Sequence, residues 1–416
     1  MATAKLFETA LGIGEPWYVQ DVQFDAKEHR LTIVVDFVAG SRFAYPGSEG
    51  VHPVHDTLTK RYRHLDFFQH VCYLEVRVPR VRLPDGSVHL VEPQWAGKLS
   101  GFSLLFEALV LTLCREMAFA AVARLVGESQ YRVQRLCERY VDLAADEADY
   151  AEVRQVAVDE TSRGKGHDYV TVVADAQLRR VIFVEEGKDA QAIEAFAQDL
   201  RAHKGDPEAI EAVCMDMSPA FISGARECMP NAQITFDKFH VIGHASEALA
   251  ETRRREQKVD PALKGMRWIL LKDRSRLTAQ QQAELEELLA QVTTRRTARA
   301  WMYREQLREI LQRKQPHVVQ GLLLQWCTNV MRSKVEPMKE VAQMIRSHLA
   351  GIVSWAQTRL TNGFLEAING LFQAAKRKAR GYRRIETIRT VIFLIAGQLD
   401  FSVINPFLAD GRMMRA

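Results

Sequence analysis

Residues 153–184 carry three short apolar runs, Val153 to Val158, Tyr169 to Ala174 and Arg180 to Val184, and their spacing restricts the fold more than any other feature of the chain. Only a Gly- and Lys-rich loop and the turn Asp175-Ala-Gln join them. Parallel neighbours need a crossover of a dozen or more residues, so links this short predict an antiparallel meander. The pattern then alternates: a helix over Ala190 to Ala202, a buried strand over Ala209 to Met215, a helix opened by Ser218-Pro219, and a strand over Ala232 to Phe236. Pro at the first helical position gives up only an N–H that has no helical partner. The resulting order is βββαβαβ.

That order is the one found in ribonuclease H-like cores, and two acids stand where it makes chemistry available. Asp159 follows the first run and Asp216 follows Met215, so both are expected at strand ends beside the core. Neighbouring carboxylates raise one another's pKa, and a divalent cation removes the repulsion most directly. Oxygen ligands suit Mg²⁺ or Mn²⁺.

From Val241 to about Leu360 the pattern is almost wholly helical, with Arg253, Arg254 and Arg255 near its start, and reads as a helical insertion. Beyond it a helix is predicted from Thr361 or Asn362. Phe364, Leu365, Ile368, Leu371 and Phe372 form its apolar face; Asn362, Glu366, Asn369 and Gln373, at i, i+4, i+7 and i+11, form a polar stripe. Lys376, Arg377 and Arg380 extend that stripe into a cationic patch. A solvated helix face has the same pattern, so Glu366 becomes a candidate third acid only beside Asp159 and Asp216. An apolar helix near Ile388 to Leu399 closes the chain.

The stretch up to about Trp95 has alternating segments, Arg30 to Phe37 and Cys72 to Pro79, between Pro and Gly turns, and predicts a small β-rich module. From Ser100 the period becomes helical. Phe119 to Val126, then Gly127 as the turn and Ser129 as a cap, then a helix to Tyr140, have the layout of a helix-turn-helix. Arg132, Arg135 and Arg139 share a face of the second helix, as in a recognition helix, although a solvated amphipathic helix would show the same stripe. Phosphate contacts are expected from Lys376 to Arg384, which includes Lys378, Arg383 and Arg384.

Composition bounds the rest. A net charge of +4 over 416 residues is small, so affinity for nucleic acid has to come from local clusters. The six cysteines are scattered singly, without the pairs that hold zinc or a secreted disulfide framework, and fit a reducing cytosol. No apolar run approaches the roughly 18 residues of a membrane span, and the start does not resemble a secretory signal.

Four blocks, Val158-Asp-Glu-Thr-Ser-Arg-Gly-Lys-Gly-His-Asp-Tyr-Val-Thr-Val-Val173, Met215-Asp-Met-Ser-Pro-Ala-Phe221, Phe236-Asp-Lys-Phe-His-Val241 and Thr361-Asn-Gly-Phe-Leu-Glu-Ala-Ile-Asn369, occur in the order seen in bacterial insertion-sequence transposases of the ISL-three family, which the chain resembles. Arg63-His-Leu-Asp66, Val78-Pro-Arg-Val81 and Gln94-Trp-Ala96 resemble that family's N-terminal region, so the likeness covers most of the chain. The resemblance implies that Asp159, Asp216 and Glu366 are a catalytic and metal-binding DDE triad. Beside that triad, Asp237 and His240 could orient a ligand, contact DNA or cap a helix, Glu160, Asn362 and Asn369 are possible supporting neighbours, and Arg132, Arg135, Arg139, Arg253 to Arg255 and the Lys376 to Arg384 run are the expected DNA contacts. The implied fold is α/β plus α. It divides into a β-rich module (1–96), a helix-turn-helix domain (97–148), the first part of a ribonuclease H-like core (149–242), a helical insertion (243–358) and the last part of the core (359–416).

Family members carry paired cysteines in the N-terminal module, whereas the matching stretches here read Phe43 to Gly50 and Arg82 to Gly86. Zinc is therefore not expected, and His52, His55, His64 and His70 are weak substitutes. The implied activity is Mg²⁺- or Mn²⁺-dependent cleavage and strand transfer by two ions roughly 3.5 to 4 Å apart, acting on double-stranded DNA at element ends and target. The implied protein is a homodimer or larger, cytoplasmic and nucleoid-associated. The rivals are a structure-selective nuclease of the same fold and a domesticated DNA-binding protein that has lost catalysis.

Overall fold

The computed structural model describes residues 2–99, 101–164, 169–272, 274–290 and 295–408. Ser100 and residues 165–168 of the Gly- and Lys-rich loop lie outside them. The chain packs as two compact units, residues 1–148 with 375–394 and 399–416, and residues 149–374 with 395–398. The expected last core segment, 359–416, is thus divided between them.

The first unit opens with α1 (Ala2–Leu11), followed by β1 (Trp17–Asp25), β2 (Arg30–Phe37), β3 (Arg42–Tyr45), β4 (Ser48–Phe67), β5 (His70–Arg82) and β6 (Val88–Leu90). They form one sheet in the order β1-β2-β5-β4-β3, with β6 on β5; β2 and β5 are parallel and the other pairs antiparallel. Alternate residues Leu31, Ile33 and Val35 of β2 and Leu74, Val76 and Val78 of β5 point into one core and are almost completely buried, as a half-buried sheet requires.

Three helices follow: α2 (Leu104–Glu116), capped by Ser103, α3 (Phe119–Val126) and α4 (Gln130–Asp146). Gly127, at φ 68°, takes the left-handed turn that ends α3, and the Ser129 hydroxyl accepts from the Arg132 N–H to start α4. Both were expected. Beneath them Glu107 is fully buried, accepting from the backbone N–H groups of Lys98 (2.8 Å) and Leu99 (2.7 Å) and from the Tyr140 hydroxyl (2.7 Å). A Cβ at Gly97 would come within 2.5 Å of that carboxyl group, so only glycine fits there.

The second unit is built on β7 (Gln155–Ser162), β8 (Tyr169–Asp175) and β9 (Arg180–Glu186), the expected antiparallel meander. Next come α5 (Ala190–Ala202), β10 (Ala212–Met215), α6 (Pro219–Cys228) and β11 (Gln233–Phe236). The sheet order is β11-β10-β7-β8-β9, with β10 parallel to both neighbours. Asp175 forms the predicted turn, its Oδ1 accepting from Gln177 and Leu178 N–H.

The helical stretch comprises α7 (Lys238–Glu256), α8 (Arg267–Leu271), α9 (Ala279–Ala290), α10 (Arg296–Ile310), α11 (Pro316–Met331), α12 (Glu336–Ser347) and α13 (Leu349–Thr358). Helix α13 lies directly on β11: Thr235 Oγ1 meets Ser354 Oγ at 2.9 Å, and a Cβ at Gly351 would come within 2.5 Å of the Phe236 ring. Then come α14 (Gly363–Lys378) and α15 (Ile385–Ala396). On α14, Leu365, Ile368 and Phe372 are buried, but Leu371, expected on the same face, is 58% exposed.

Candidate active site

The polar stripe of α14 runs along β7. Asn362 Nδ2 donates to the Val158 carbonyl (2.9 Å), Asn369 Nδ2 to Asp159 Oδ2 (2.8 Å), and Gln373 Nε2 to Thr161 Oγ1 (3.0 Å) and the Ser162 carbonyl (2.9 Å). The two elements keep step because eleven helical residues rise roughly 16 Å while four strand residues rise roughly 13 Å. The start of the helix is held by Asp237. That buried carboxylate caps α7 by accepting from Phe239 N–H (2.8 Å) and accepts from Asn362 N–H (2.6 Å) through its other oxygen.

Asp159 is not at a strand end as expected. Strand β7 continues to Ser162 because Asp159 to Ser162 keep pairing with Val172 to Tyr169. Its carboxyl pKa is pushed up to about 6, chiefly by burial; the Glu160 N–H and the His240 ring oppose the rise, while the charges of Asp216 and Glu366 add to it. The three expected acids therefore share one electrostatic neighbourhood, although they come from β7, the loop after β10 and α14. Asp216 accepts from Ser218 N–H (3.0 Å) in the turn into α6. Glu366 is exposed, with no side-chain hydrogen bond or ion pair among the described residues. Burial also raises Glu160, against the nearby Lys188 charge.

Among the described residues, three buried atoms near these acids have no hydrogen-bond partner, the Oδ1 atoms of Asn362 and Asn369 and the Nε2 of His240. Among the described residues no three His, Cys, Asp or Glu side chains converge tightly enough to enclose an ion. The donor chemistry nevertheless suits a hard divalent cation: carboxylate oxygens of Asp216 and Glu366 close enough to add to the rise that burial causes in the Asp159 pKa, and beside them an amide oxygen with no partner among the described residues.

The expected DNA contacts differ in availability. On α4, Arg132 donates to Glu128 (2.9 Å) and lies over the Phe102 ring (3.8 Å), and Arg135 pairs with the buried Glu138 (3.0 Å). Arg139 is exposed and has no ion pair among the described residues. Arg380 does not continue the α14 stripe. The helix ends at Lys378, and Arg380 (φ 62°) and Gly381 (φ 100°) turn the chain away as Gly381 N–H closes on the Lys376 carbonyl (2.8 Å). Lys378 to Arg384 then line a groove of about 740 Å³ with the start of α3, Arg124, Gln130 and Gln134. Arg384 also meets Glu386 at 3.2 Å, and Arg377 is exposed at the helix end.

In the second unit, Arg253 is buried, donating to Gln257 and to the Leu263 carbonyl (3.4 Å). It is therefore a packing residue and not the surface contact expected. Arg255 pairs with Glu251, and Arg254 is exposed. Of the N-terminal histidines, His64 holds Ser103 Oγ (2.7 Å) and is pushed down to about 4 by burial and the Arg63 charge. His70 stacks near Phe24 and His29, His55 lies 3.3 Å from Arg82, and His52 is buried.

Sequence reasoning missed Lys238 and Arg359, which both lie over the Trp355 ring, at 4.4 and 4.2 Å. Separated by more than a hundred residues, they leave no local pattern. It also read Gln373 only as part of a stripe.

Residues 156–392 match a family model described as "Transposase", and residues 91–141 match one described as "Helix-turn-helix domain of transposase family ISL3". The chain is 27% identical over 341 residues to the transposase for insertion sequence element IS1001 of Bordetella parapertussis, covering 79% of this chain and 82% of that one. It is 25% identical over 435 residues to the transposase for insertion sequence element IS1557 of Mycobacterium tuberculosis (strain CDC 1551 / Oshkosh), covering 95% and 96%.

Proposed function

This chain belongs to the ISL3 family of insertion-sequence transposases, and from that premise we propose that Asp159, Asp216 and Glu366 are the carboxylates with which it cuts and rejoins DNA. The observation that carries this reading is the docking of α14 on β7, with Asn369 holding Asp159 at 2.8 Å and both Glu366 and Asp216 raising the pKa of that carboxyl. The strand order β11-β10-β7-β8-β9 supports a ribonuclease H-like core.

A divalent cation, taken here as Mg²⁺ with Mn²⁺ as a substitute, would be held by the three acids and supplies Lewis-acid activation of water or a terminal 3′-hydroxyl. The chain's own residues set the geometry. Asn369 holds one oxygen of Asp159 while the Glu160 N–H donates to the other (2.9 Å), so the carboxylate is oriented at both oxygens, and Asp237 with Asn362 fixes the first turn of α14, and so the height of Glu366 along β7. Exposure of Glu366 leaves its carboxylate free to move onto a ligand. Asp216 is tethered by Ser218 N–H in the turn into α6.

In the first unit, α4 would read the terminal repeats, with Lys378 to Arg384 and Arg124 holding the DNA backbone along the shared groove. Synapsis of two ends calls for at least a homodimer. No helix among the described residues is long and apolar enough to cross a membrane; action on bacterial DNA would put the protein in the cytoplasm, at the nucleoid. The test is incubation of the full chain with a fragment bearing the element's ends, with Mg²⁺ or EDTA, for wild type and for Asp159→Ala, Asp216→Ala and Glu366→Ala. Cleaved and joined products only with metal, and in none of the variants, support the assignment. Undiminished products in any one variant remove that residue from the triad.

A further inference from the structure

Lys238 opens α7, and Arg359 follows α13 in a left-handed conformation (φ 54°), two residues before Thr361. Their side chains converge on the buried Trp355, with Lys238 Nζ 4.4 Å and Arg359 Cζ 4.2 Å from the ring centroid. Cations over an indole gain from its π face, but two of them on one ring repel each other. Burial, then the Arg359 charge, lowers the Lys238 pKa. Neither cation has an ion pair with an acid among the described residues. The adjacent acid, Asp237, has its two oxygens committed to the N–H groups of Phe239 and Asn362. Among the described residues the Arg359 guanidinium donates to one carbonyl, that of Arg313, at 3.0 Å. Trp355 Nε1 is a buried donor with no acceptor among the described residues. Beside the pair, Phe239 leaves half of its ring exposed, with Lys238 Nζ 5.2 Å from its centroid.

A pair of cations that has no ion pair with an acid among the described residues, and whose nearest acid, Asp237, only partly offsets the Lys238 charge, together with an open aromatic side chain, is what a nucleotide requires: a phosphodiester to neutralise the charges and a base to stack. Asp237, the residue before Lys238, and Asn362, three residues after Arg359, lock α14 in place beside Asp159. We propose that Lys238, Arg359 and Phe239 form a nucleotide subsite that grips the DNA strand next to the phosphodiester being cut, with the backbone phosphate between the two cations and the base on Phe239. The position next to the cut rests on the assignment of the three acids; the subsite itself does not.

The test is binding of full-length protein, in EDTA so that nothing is cut, to a fluorescent duplex spanning the element's end and its flank, over a range of salt concentrations. Lys238→Gln is expected to weaken binding several-fold and to reduce the slope of log K against log salt by about 0.9, the value of one phosphate contact. Arg359→Gln should do the same, and Arg359→Lys should restore most of the slope. Phe239→Ala should weaken binding without changing the slope. A single uncharged methylphosphonate linkage, moved stepwise along the strand, should weaken wild-type binding at one linkage beside the cut and leave Lys238→Gln indifferent there. Unchanged affinity and slope in both glutamine variants, or a sensitive linkage remote from the cut, overturns the subsite. A parallel Mg²⁺ cleavage assay separates the two ideas: wild type that never cuts but keeps the methylphosphonate signature removes the assignment of the acids and leaves the subsite standing.

Discussion

Helices α4 and α14 each present a polar stripe, and the two stripes are used in opposite ways. On α4 the arginines find acids within a helical turn, so Arg132 is held by Glu128 and Arg135 by Glu138, and two of the three charges expected to face DNA are partly neutralised by their own chain. On α14 the stripe is made of neutral amides apart from Glu366, and their partners are backbone carbonyls, the Thr161 hydroxyl and the Asp159 carboxylate. Asn362, Asn369 and Gln373 dock the helix, while Glu366 is left without a counter-charge among the described residues. Residue type along a stripe therefore says less about function than whether a neighbour of opposite charge lies three or four residues away.

The comparison is broken most directly at Glu366. Replacing it with Gln keeps shape and helix propensity and removes the charge, so cleavage of element ends should fall by on the order of 10³-fold, equivalent to several kcal/mol of lost transition-state stabilisation. DNA affinity and melting temperature should hardly move, because the exposed Glu366 side chain makes no hydrogen bond or ion pair among the described residues. A variant that melts several degrees lower would show that the charge is used in folding after all.

Asn369→Ala removes a charge-assisted hydrogen bond worth about 1.5 to 3 kcal/mol and frees the Asp159 carboxylate to rotate. End cleavage is expected to drop about 10- to 100-fold, in kcat more than in KM. Asn369→Asp should be worse than alanine, because it sets another negative charge against Asp159. Equal activity of the aspartate variant and wild type would remove the positioning role.

Asp159 itself gives a pH test. Its folded pKa of about 6 lies above the ordinary value of 3.8, so the native state binds more protons than the unfolded state between those limits. For the metal-free protein the Asp159 contribution should make stability fall as pH rises from about 4 to about 6.5, by roughly 1 to 2 kcal/mol after allowing for partial solvation. Asp159→Asn should flatten that stretch and melt a few degrees higher at pH 7. Millimolar Mg²⁺ should raise the melting temperature of wild type at pH 7 and leave Asp159→Asn unmoved; equal shifts in both would place the cation elsewhere.

Much of this was legible because it is local. The meander between residues 153 and 184 follows from link lengths, α3 from its periodicity and α4 from the Gly127 turn and Ser129 cap, and all appear where expected. Strand β4 was not read in full, since its twenty residues include Pro53 and the charged positions Asp56, Lys60, Arg61 and Arg63; its hydrogen bonds come from β5 and β3 and not from any apolar run of its own. The burial of Arg253 was hidden for the same reason, because the Leu263 carbonyl that takes its guanidinium comes from a later turn of chain. At the site, spacing along α14 identified the stripe but not its partner, and the continuation of β7 past Asp159 depends on pairing with β8.

The smallest expected effect is the most discriminating for α4. Arg139→Ala should weaken binding to an element-end duplex by about 0.5 to 1 kcal/mol and lower the salt slope by about 0.9, at unchanged melting temperature. Arg132→Ala should do the reverse, because that guanidinium lies 3.8 Å from the Phe102 ring and pairs with Glu128. Losing the stacking contact costs about 0.5 to 1 kcal/mol of stability, while the slope stays within error of wild type. Should Arg132→Ala lower the slope as much as Arg139→Ala, its pair with Glu128 opens on DNA, and the internal pairing on α4 is a resting state that phosphate displaces.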